Sequence, residues 1–381
     1  GGVAGRWPHP TSSTTETKSP VEKDMGEILG IGTTHYPGLT ATDEGMCSLW
    51  QTIINAPLVD DDWQDEANWP EGMAEEIGDD KGVASAALYR ERMWTNFRKQ
   101  REIIDDFAPD FIVVIADDQY ENFKEDIIPP FCVFGLDDEF DQQVWSTGPL
   151  SKIGNYWGEP NDHEVRLRGH REGAKFITAG LLERNIAMPY AYKMLHSPTL
   201  AHGFNYTALF LDVDRQGFDH PIVPLHVNCY GKMVIKADGA FSHLFKPLDD
   251  GSELPDPPGP NPGMCHEVGA RLAEVLSESP YRSVVMASSS WSHCFLSPNS
   301  GYVVPDYEAD RAMLKALRSG DYDYWRNRTT AEVEASGHHE LLNWHVLIGA
   351  MDQLDRSAEI LDYVETFIFQ SNKCFALFPS E

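Results

Sequence analysis

Short, almost wholly apolar runs alternate with longer amphipathic segments along most of this chain. The apolar runs have the length of strands and occur at 26–32, 111–116, 222–227 and 283–287. The amphipathic segments have the length of helices and occupy 88–107, 172–184, 265–276 and 340–354. An apolar run that follows a helix is typical of a strand buried on both faces of a parallel sheet. The pattern therefore predicts an α/β fold, a layered domain with a mostly parallel central sheet flanked by helices.

The remaining segments define the expected domain organisation. Residues 1–24 are rich in Ser, Thr and Pro and show no hydrophobic period, which predicts an N-terminal tail. Residues 25–381 are expected to form a single domain. Within it, the acidic and Trp-bearing stretch at about 43–81 has no clear period and is expected to be an insert of short helices and loops.

Composition narrows the possible partners. The chain carries 60 acidic and 30 basic residues, a formal charge of −30, which repels phosphate backbones and anionic lipids. Neither nucleic acid nor a membrane is therefore an expected partner, and no apolar run approaches the ~20 residues of a membrane helix. The six cysteines form no CxxC pair, which favours reduced thiols and a cytoplasmic location.

Polar side chains follow three of the predicted strands. His35 comes after the first strand, the triplet 117–119 after the second, and His293 after the run at 283–287. In open α/β sheets ligands bind beyond the carboxyl ends of the strands. The sequence therefore predicts an active site at this edge of the sheet.

Glu340 is expected at the start of the helix that begins near Gly337. There it shares a face with Trp344, Leu347 and Met351, and a carboxylate on an apolar stripe is costly unless it is paired or bound to metal. The alternative interpretation is a carboxylate that interacts with the helix dipole.

The histidines admit two interpretations each. His35 and His293 have the near-neutral intrinsic pKa of an acid/base group and the nitrogen donors of a metal ligand, but a single histidine often serves only as a hydrogen-bonding residue. His202, in the turn LAHGFN, is either a donor in the site or a structural turn residue. His338 and His339 adjoin Glu340 and are further candidate ligands.

Six segments, in order, resemble the class III extradiol ring-cleavage dioxygenases, the family of the protocatechuate 4,5-dioxygenase catalytic subunit. The resemblance extends from about 26 to 378. The segments are GIGTTHYPGL at 30–39, DDQYENFKEDIIPPFCVFG at 117–135, LAHGFN at 200–205, SSSWSHCFLSP at 288–298, HHELLNWHVLIGAM at 338–351 and QSNKCFALF at 370–378. The domain at 25–381 is accordingly expected to be an extradiol-dioxygenase-like catalytic domain.

The resemblance also implies a cofactor and residue roles. Members of the family hold Fe(II) with two histidines and one glutamate, which implies that His35 is the first histidine ligand and Glu340 the carboxylate ligand. It implies that His293 is the acid/base for catechol protons and that His202 is a further active-site histidine. Ser371 falls where relatives contact a substituent of the substrate.

The chain departs from the family at the second histidine ligand, where it has Gln119. An amide oxygen is a neutral donor and binds iron more weakly than imidazole does. Gln119 is the predicted ligand, with Asp117, Asp118 or His339 as alternatives and loss of functional iron as a third outcome.

The function expected from these motifs is Fe(II)-dependent extradiol cleavage of a catechol- or gallate-type aromatic diol with dioxygen. The alternative is a metal protein of the same fold whose oxygenase chemistry is altered or lost because Gln119 replaces a histidine. The expected partners are a small aromatic diol and dioxygen, and a homo-oligomer is left open.

Overall fold

The computed structural model describes residues 26–145, 155–232, 234–239, 241–246 and 255–380. The predicted tail at 1–24 lies outside the described residues. The strands are β1 Glu27–Thr33, β2 Phe111–Asp117, β3 Phe131–Phe134, β4 Phe140–Gln142, β5 Val165–Leu167, β6 Tyr190–Ala191, β7 Ile222–Val227, β8 Arg282–Ser288, β9 Glu359–Val364 and β10 Lys373–Phe378. The helices are α1 Asp43–Ile54, α2 Met73–Ile77, α3 Val83–Phe107, α4 Arg171–Glu183, α5 His202–Leu211, α6 Val234–Ala237, α7 Pro262–Ser277, α8 Tyr307–Ser319, α9 Tyr322–Arg326, α10 Thr330–Ala335 and α11 Leu342–Gln353.

Eight strands form one sheet in the order β6-β3-β7-β2-β8-β1-β10-β9. The central strands β7, β2, β8 and β1 are parallel to one another, so their carboxyl ends meet at one edge. β10 pairs antiparallel with both β1 and β9, and β3 pairs antiparallel with β7. The prediction of an α/β fold with a mostly parallel sheet is confirmed.

The central strands are apolar throughout because helices cover both faces of the sheet. Ile112 and Val114 of β2 belong to one apolar cluster, together with side chains of α1, α3 and α5. Val113 and Ile115 point the other way into a second cluster with α4, α7, α8 and α11. None of the helices in the described part of the chain combines the length and apolar character needed to cross a membrane.

A close contact fixes α11 under the carboxyl end of β1. The indole of Trp344 lies directly on the backbone of Gly32, where an added Cβ would be only 2.1 Å from a ring carbon. Glycine is therefore required at this position, and the contact places the start of α11 below the loop that carries His35.

The expectation that Glu340 lies on the apolar face of a helix is wrong. α11 begins at Leu342, and Glu340 belongs to a turn that precedes it. Gly337 has a φ of +68°, and its carbonyl accepts a hydrogen bond of 2.9 Å from the backbone N–H of His293. These long-range constraints on the turn keep the segment out of the helix.

The stretch at 43–81 forms α1, α2 and short 3-10 turns, as its lack of a period predicts. Glu76 ties it to the loop before β10. One oxygen of its carboxylate accepts hydrogen bonds from the Thr366 hydroxyl and from the backbone N–H groups of Phe367 and Ile368, at 2.7, 2.8 and 3.0 Å. The stretch thus supports the segment that leads to Ser371.

Candidate metal centre

Three side chains meet at the carboxyl edge of the sheet. His35 follows β1, Asp117 ends β2, and Glu340 lies in the turn before α11. One donor atom from each lies within 4.8 Å of the other two, and all three residues are buried. Nε2 of His35 is 3.6 Å from Oδ1 of Asp117 and 3.6 Å from Oε2 of Glu340.

These distances suit a shared cation better than direct hydrogen bonds. A separation of 3.6 Å is too long for a hydrogen bond, and Nε2 of His35 is buried without a hydrogen-bond partner. Ligand atoms bound at ~2.0–2.2 Å from one metal ion lie roughly 3–3.5 Å from each other. A modest contraction of the cluster would therefore bind a first-row divalent ion through one imidazole and two carboxylates.

The pKa values of the three groups reflect burial and the charges of their neighbours. Burial lowers the pKa of His35 to about 4, so its imidazole is neutral at pH 7, the form that binds a metal. Burial, reinforced by the charge of Glu340, raises the pKa of Asp117 to about 7. Burial alone would raise the pKa of Glu340 as well, but His293 and other nearby histidines outweigh it and lower that pKa to about 2. A bound cation would favour ionisation of both carboxylates.

Gln119 contacts the cluster with the amide nitrogen. Its Nε2 donates to Oδ2 of Asp117 at 2.7 Å and lies 3.4 Å from Oε1 of Glu340, while its Oε1 is buried without a partner. In this arrangement Asp117 is placed to supply the third donor, and Gln119 is placed to orient its carboxylate. Ligation by Gln119 itself stays a prediction.

The other candidate ligands lie outside the cluster. The carboxylate of Asp118 accepts hydrogen bonds from the backbone N–H of Glu121 and Asn122, at 2.8 and 2.7 Å, and so shapes its own loop. The ring of His339 packs against Gly231, where an added Cβ would be 2.4 Å from the ring. Nε2 of His338 bonds to a carboxylate of α8.

His293 directs one ring nitrogen towards the cluster. Its Nδ1 lies 2.8 Å from the carbonyl oxygen of Trp291, which only accepts, so Nδ1 carries the proton. Nε2 lies 3.2 Å from Oε2 of Glu340. Nε2 is therefore the ring nitrogen that faces the cluster and is placed to exchange a proton there.

His202 is the first residue of α5 and lies beside His35, with ring centroids 5.2 Å apart. Its Nδ1 is 2.8 Å from Oε2 of Glu121, a residue whose role the sequence analysis missed. Burial would lower the pKa of His202, but Glu121, Asp117 and Glu340 outweigh this effect and raise it to about 10. The raised pKa favours the protonated form of His202, which is paired with the Glu121 carboxylate next to the candidate metal ligands.

Ser371 lies next to His293 through a backbone bridge between the two residues. Its hydroxyl is 2.8 Å from Nζ of Lys373, a fully buried lysine whose Nζ lies 4.1 Å from the ring centroid of Tyr36. The structure thus places Ser371 beside the candidate acid/base, with its hydroxyl held by Lys373. Contact with a substrate stays a prediction.

Asn343 is a second residue that the sequence analysis missed. Its Nδ2 donates to Oδ1 of Asp117 at 3.0 Å and to the carbonyl oxygen of Ser288 at 3.3 Å. The available signal was an amide within the mostly apolar segment LLNWHVLIGAM, where a buried amide needs hydrogen-bond partners. Asp117 therefore receives one amide N–H on each carboxylate oxygen, from Asn343 and from Gln119.

Comparison with known proteins gives distant relatives of one kind. A protein of Rhodococcus sp is 24% identical over 278 residues, covering 67% of this chain and 80% of the relative. A protein of Paraburkholderia phymatum is 24% identical over 286 residues, covering 70% and 83%. A protein of Pseudomonas putida is 29% identical over 198 residues, covering 48% and 54%.

All three relatives are named 2,3-dihydroxyphenylpropionate/2,3-dihydroxicinnamic acid 1,2-dioxygenase, the last with the suffix 2. No protein-family model matches the chain. A solved structure of an uncharacterized protein from Escherichia coli K12 is 12% identical with a TM-score of 0.42, over 75% of this chain and 92% of that one. Over about two thirds of its length, the chain is thus similar to proteins named as dioxygenases of dihydroxylated aromatic acids.

Proposed function

We propose that this chain is an extradiol ring-cleavage dioxygenase that binds Fe(II) at His35, Asp117 and Glu340. The observation that carries the proposal is Nε2 of His35, which is buried, unpartnered and 3.6 Å from each carboxylate. Bound iron would supply a Lewis acid for the two diol oxygens and a site where dioxygen is activated. The curated relatives are all named dioxygenases, which confirms the prediction of a dioxygenase enzyme.

The proposed substrate is a catechol with an anionic side chain. The relatives are named for 2,3-dihydroxyphenylpropionate, an aromatic vicinal diol that carries a carboxylate. The protocatechuate and gallate types stay predictions and belong in the substrate panel.

The residues around the cluster suit the proton transfers that ring cleavage needs. His293 takes a phenolic proton on Nε2 and returns it later in the reaction, since the hydrogen bond to Trp291 keeps its other proton on Nδ1. His202, oriented by Glu121, donates a hydrogen bond to an anionic oxygen of the substrate. Ser371 is proposed to contact the substituent once the hydroxyl turns from Lys373.

The alternative, a metal protein of the same fold with altered or lost oxygenase chemistry, is not favoured. It rested on the replacement of a histidine by Gln119. Asp117 completes a set of three donors without that histidine, so the departure from the family pattern does not by itself abolish the site. The names of the relatives do not favour the alternative either.

The test combines metal analysis with oxygen uptake. The chain is purified without oxygen, its iron is quantified, and uptake is measured with 2,3-dihydroxyphenylpropionate, catechol and gallate, with resorcinol as the non-vicinal control. We expect about one iron per chain, one dioxygen per vicinal diol and a yellow ring-opened product. Removal of the metal by a chelator should abolish uptake and Fe(II) should restore it. Stoichiometric iron without uptake on any vicinal diol would contradict the proposal.

A further inference from the structure

We propose that Asp310 is a positioning residue that holds the loops of His293 and Glu340 at the distance their chemistry requires. The inference rests on the proposed function insofar as it takes His293 as the acid/base and Glu340 as a metal ligand. Asp310 lies on α8, is fully buried, and touches neither of these residues directly.

The carboxylate of Asp310 receives three hydrogen bonds from three different segments. Oδ1 accepts from Nε2 of His338 at 2.7 Å and from the backbone N–H of Ser292 at 3.2 Å. Oδ2 accepts from Nδ2 of Asn372 at 2.7 Å. Each donor lies one or two residues from a predicted site residue: Ser292 precedes His293, His338 precedes Glu340 by two, and Asn372 follows Ser371.

The same segments also bind one another. The backbone N–H of His293 donates to the carbonyl of Gly337 at 2.9 Å, and the hydroxyl of Ser292 donates to the carbonyl of Ser336 at 2.6 Å. A Cβ on Gly337 would lie 2.3 Å from the carbonyl oxygen of His293, so these two segments are in direct van der Waals contact. A displacement of one segment is therefore transmitted to the other.

The quantity that this network fixes is the separation between the acid/base and the carboxylate ligand. Nε2 of His293 is 3.2 Å from Oε2 of Glu340, although the two residues lie on different loops. Among the described residues, the Asp310 carboxylate binds to both loops and lies outside the metal cluster. In a buried, low-dielectric setting the hydrogen bonds of such a network are strengthened and rigidify the segments that they join.

The decisive variant is Asp310→Asn, which keeps the shape of the side chain and replaces one acceptor oxygen by a donor. The matched control is Glu308→Gln, which removes one negative charge from an exposed position on the same helix. The measurements are kcat and KM on the best diol, iron content, thermal midpoint, and the visible absorption of Co(II) titrated into metal-free protein.

For Asp310→Asn we expect kcat to fall ~10–100-fold with KM changed less than about threefold, the range found for residues that orient metal ligands. The Co(II) absorption band should shift, because Glu340 is displaced. Glu308→Gln should match the wild type in all four measurements. A folded Asp310→Asn variant with the kcat and Co(II) band of Glu308→Gln would overturn the proposal.

If Asp310→Asn does not fold, a second pair of variants tests whether the hydrogen bond between Asp310 and His338 positions Glu340. His338→Ala removes one donor and should reproduce the loss, whereas His338→Gln retains an N–H at the same reach and should keep more than half of the wild-type kcat. Equal activity of the two would contradict the proposal. If the wild type shows no uptake on any diol, the proposed function fails, but the Co(II) band still reports whether Asp310 places Glu340.

Discussion

Two buried groups in this molecule each place one histidine beside carboxylate oxygens. They differ in whether the histidine nitrogen that faces the carboxylates is hydrogen-bonded to them. Nε2 of His338 reaches Asp310 at 2.7 Å, and both oxygens of that carboxylate accept further hydrogen bonds. Nε2 of His35 stops at 3.6 Å from Asp117 and from Glu340 and has no partner. The His338–Asp310 group is joined by direct hydrogen bonds, whereas the His35 group keeps a separation of the size that a bound metal ion fills.

The difference separates a structural ion pair from a candidate metal site without reference to any family. A buried imidazole nitrogen that faces two carboxylate oxygens without bonding to either is costly unless a cation joins the three atoms. Burial and the charge of Glu340 also raise the pKa of Asp117 to about 7, as expected for two carboxylates that share one buried site. We therefore expect substitutions in the two groups to have different consequences for the metal.

The largest expected effect is that of Glu340→Gln. The neutral amide is a weaker ligand, so iron content should fall below about one tenth per chain and kcat/KM by more than about 100-fold. Asp310→Asn is the matched comparison, since it alters the other group and should leave iron near the wild-type level. Iron analysis after anaerobic purification measures both. Stoichiometric iron in Glu340→Gln would exclude this carboxylate as a ligand.

His293→Ala should give the next effect and separate proton transfer from metal binding. We expect kcat to fall by roughly 100-fold, the usual contribution of a general acid/base, while the iron content stays at the wild-type level. Steady-state oxygen uptake together with iron analysis tests both parts. Full turnover on a catechol would contradict the role assigned to His293, and loss of iron would make it a ligand.

The pH dependence of metal binding should show whether Asp117 or Gln119 is the third metal ligand. Below pH 7 the carboxyl of Asp117 is largely protonated and must release its proton to bind a cation, whereas His35 is neutral above about pH 4. Metal affinity should thus rise about tenfold per pH unit up to about pH 7 and level off above it.

Anaerobic Co(II) titrations between pH 5.5 and 8.5 measure this dependence. The Asp117→Asn variant should bind Co(II) weakly. Its affinity should no longer rise between pH 5.5 and 7, because the ligand that titrates there has been removed. Gln119→Ala should keep this pH dependence with a smaller loss of affinity, since it removes the amide contacts to Asp117 and Glu340 but no proposed metal ligand. The reverse order of the two variants would show that Gln119 is the ligand.

The parts of the fold that the sequence predicted depend on local pattern. The runs at 111–116 and 222–227 are apolar because helices cover both faces of the sheet, and they appear as β2 and β7 with nearly the predicted bounds. The position of His35 after β1 follows from the same pattern. The length and the uninterrupted apolar character of these runs thus predict which loops lie at the carboxyl edge of the sheet, where the candidate site is.

The third donor and the start of α11 did not follow from local pattern. Asp117 and Gln119 are two residues apart, and which of them offers an oxygen to the cluster depends on Asn343, a residue 226 positions away in the chain. Glu340 lies in a turn rather than on the helix, because its loop is bonded to His293 and, through His338, to Asp310. Such contacts join distant segments and leave no period in the sequence.

The smallest effect on activity is expected for Glu76→Ala. Glu76 belongs to neither buried group, but it holds the loop that leads to Ser371. Its carboxylate accepts hydrogen bonds from Thr366, Phe367 and Ile368, and their loss should lower the free energy of unfolding by about 1–3 kcal/mol. Turnover should fall less than tenfold and iron content should stay unchanged, because neither buried group is touched. Glu75→Ala, an exposed neighbour on α2, is the control for lost charge in denaturant unfolding. If the two variants were equally stable, Glu76 would not be the residue through which the stretch at 43–81 stabilises the loop before β10.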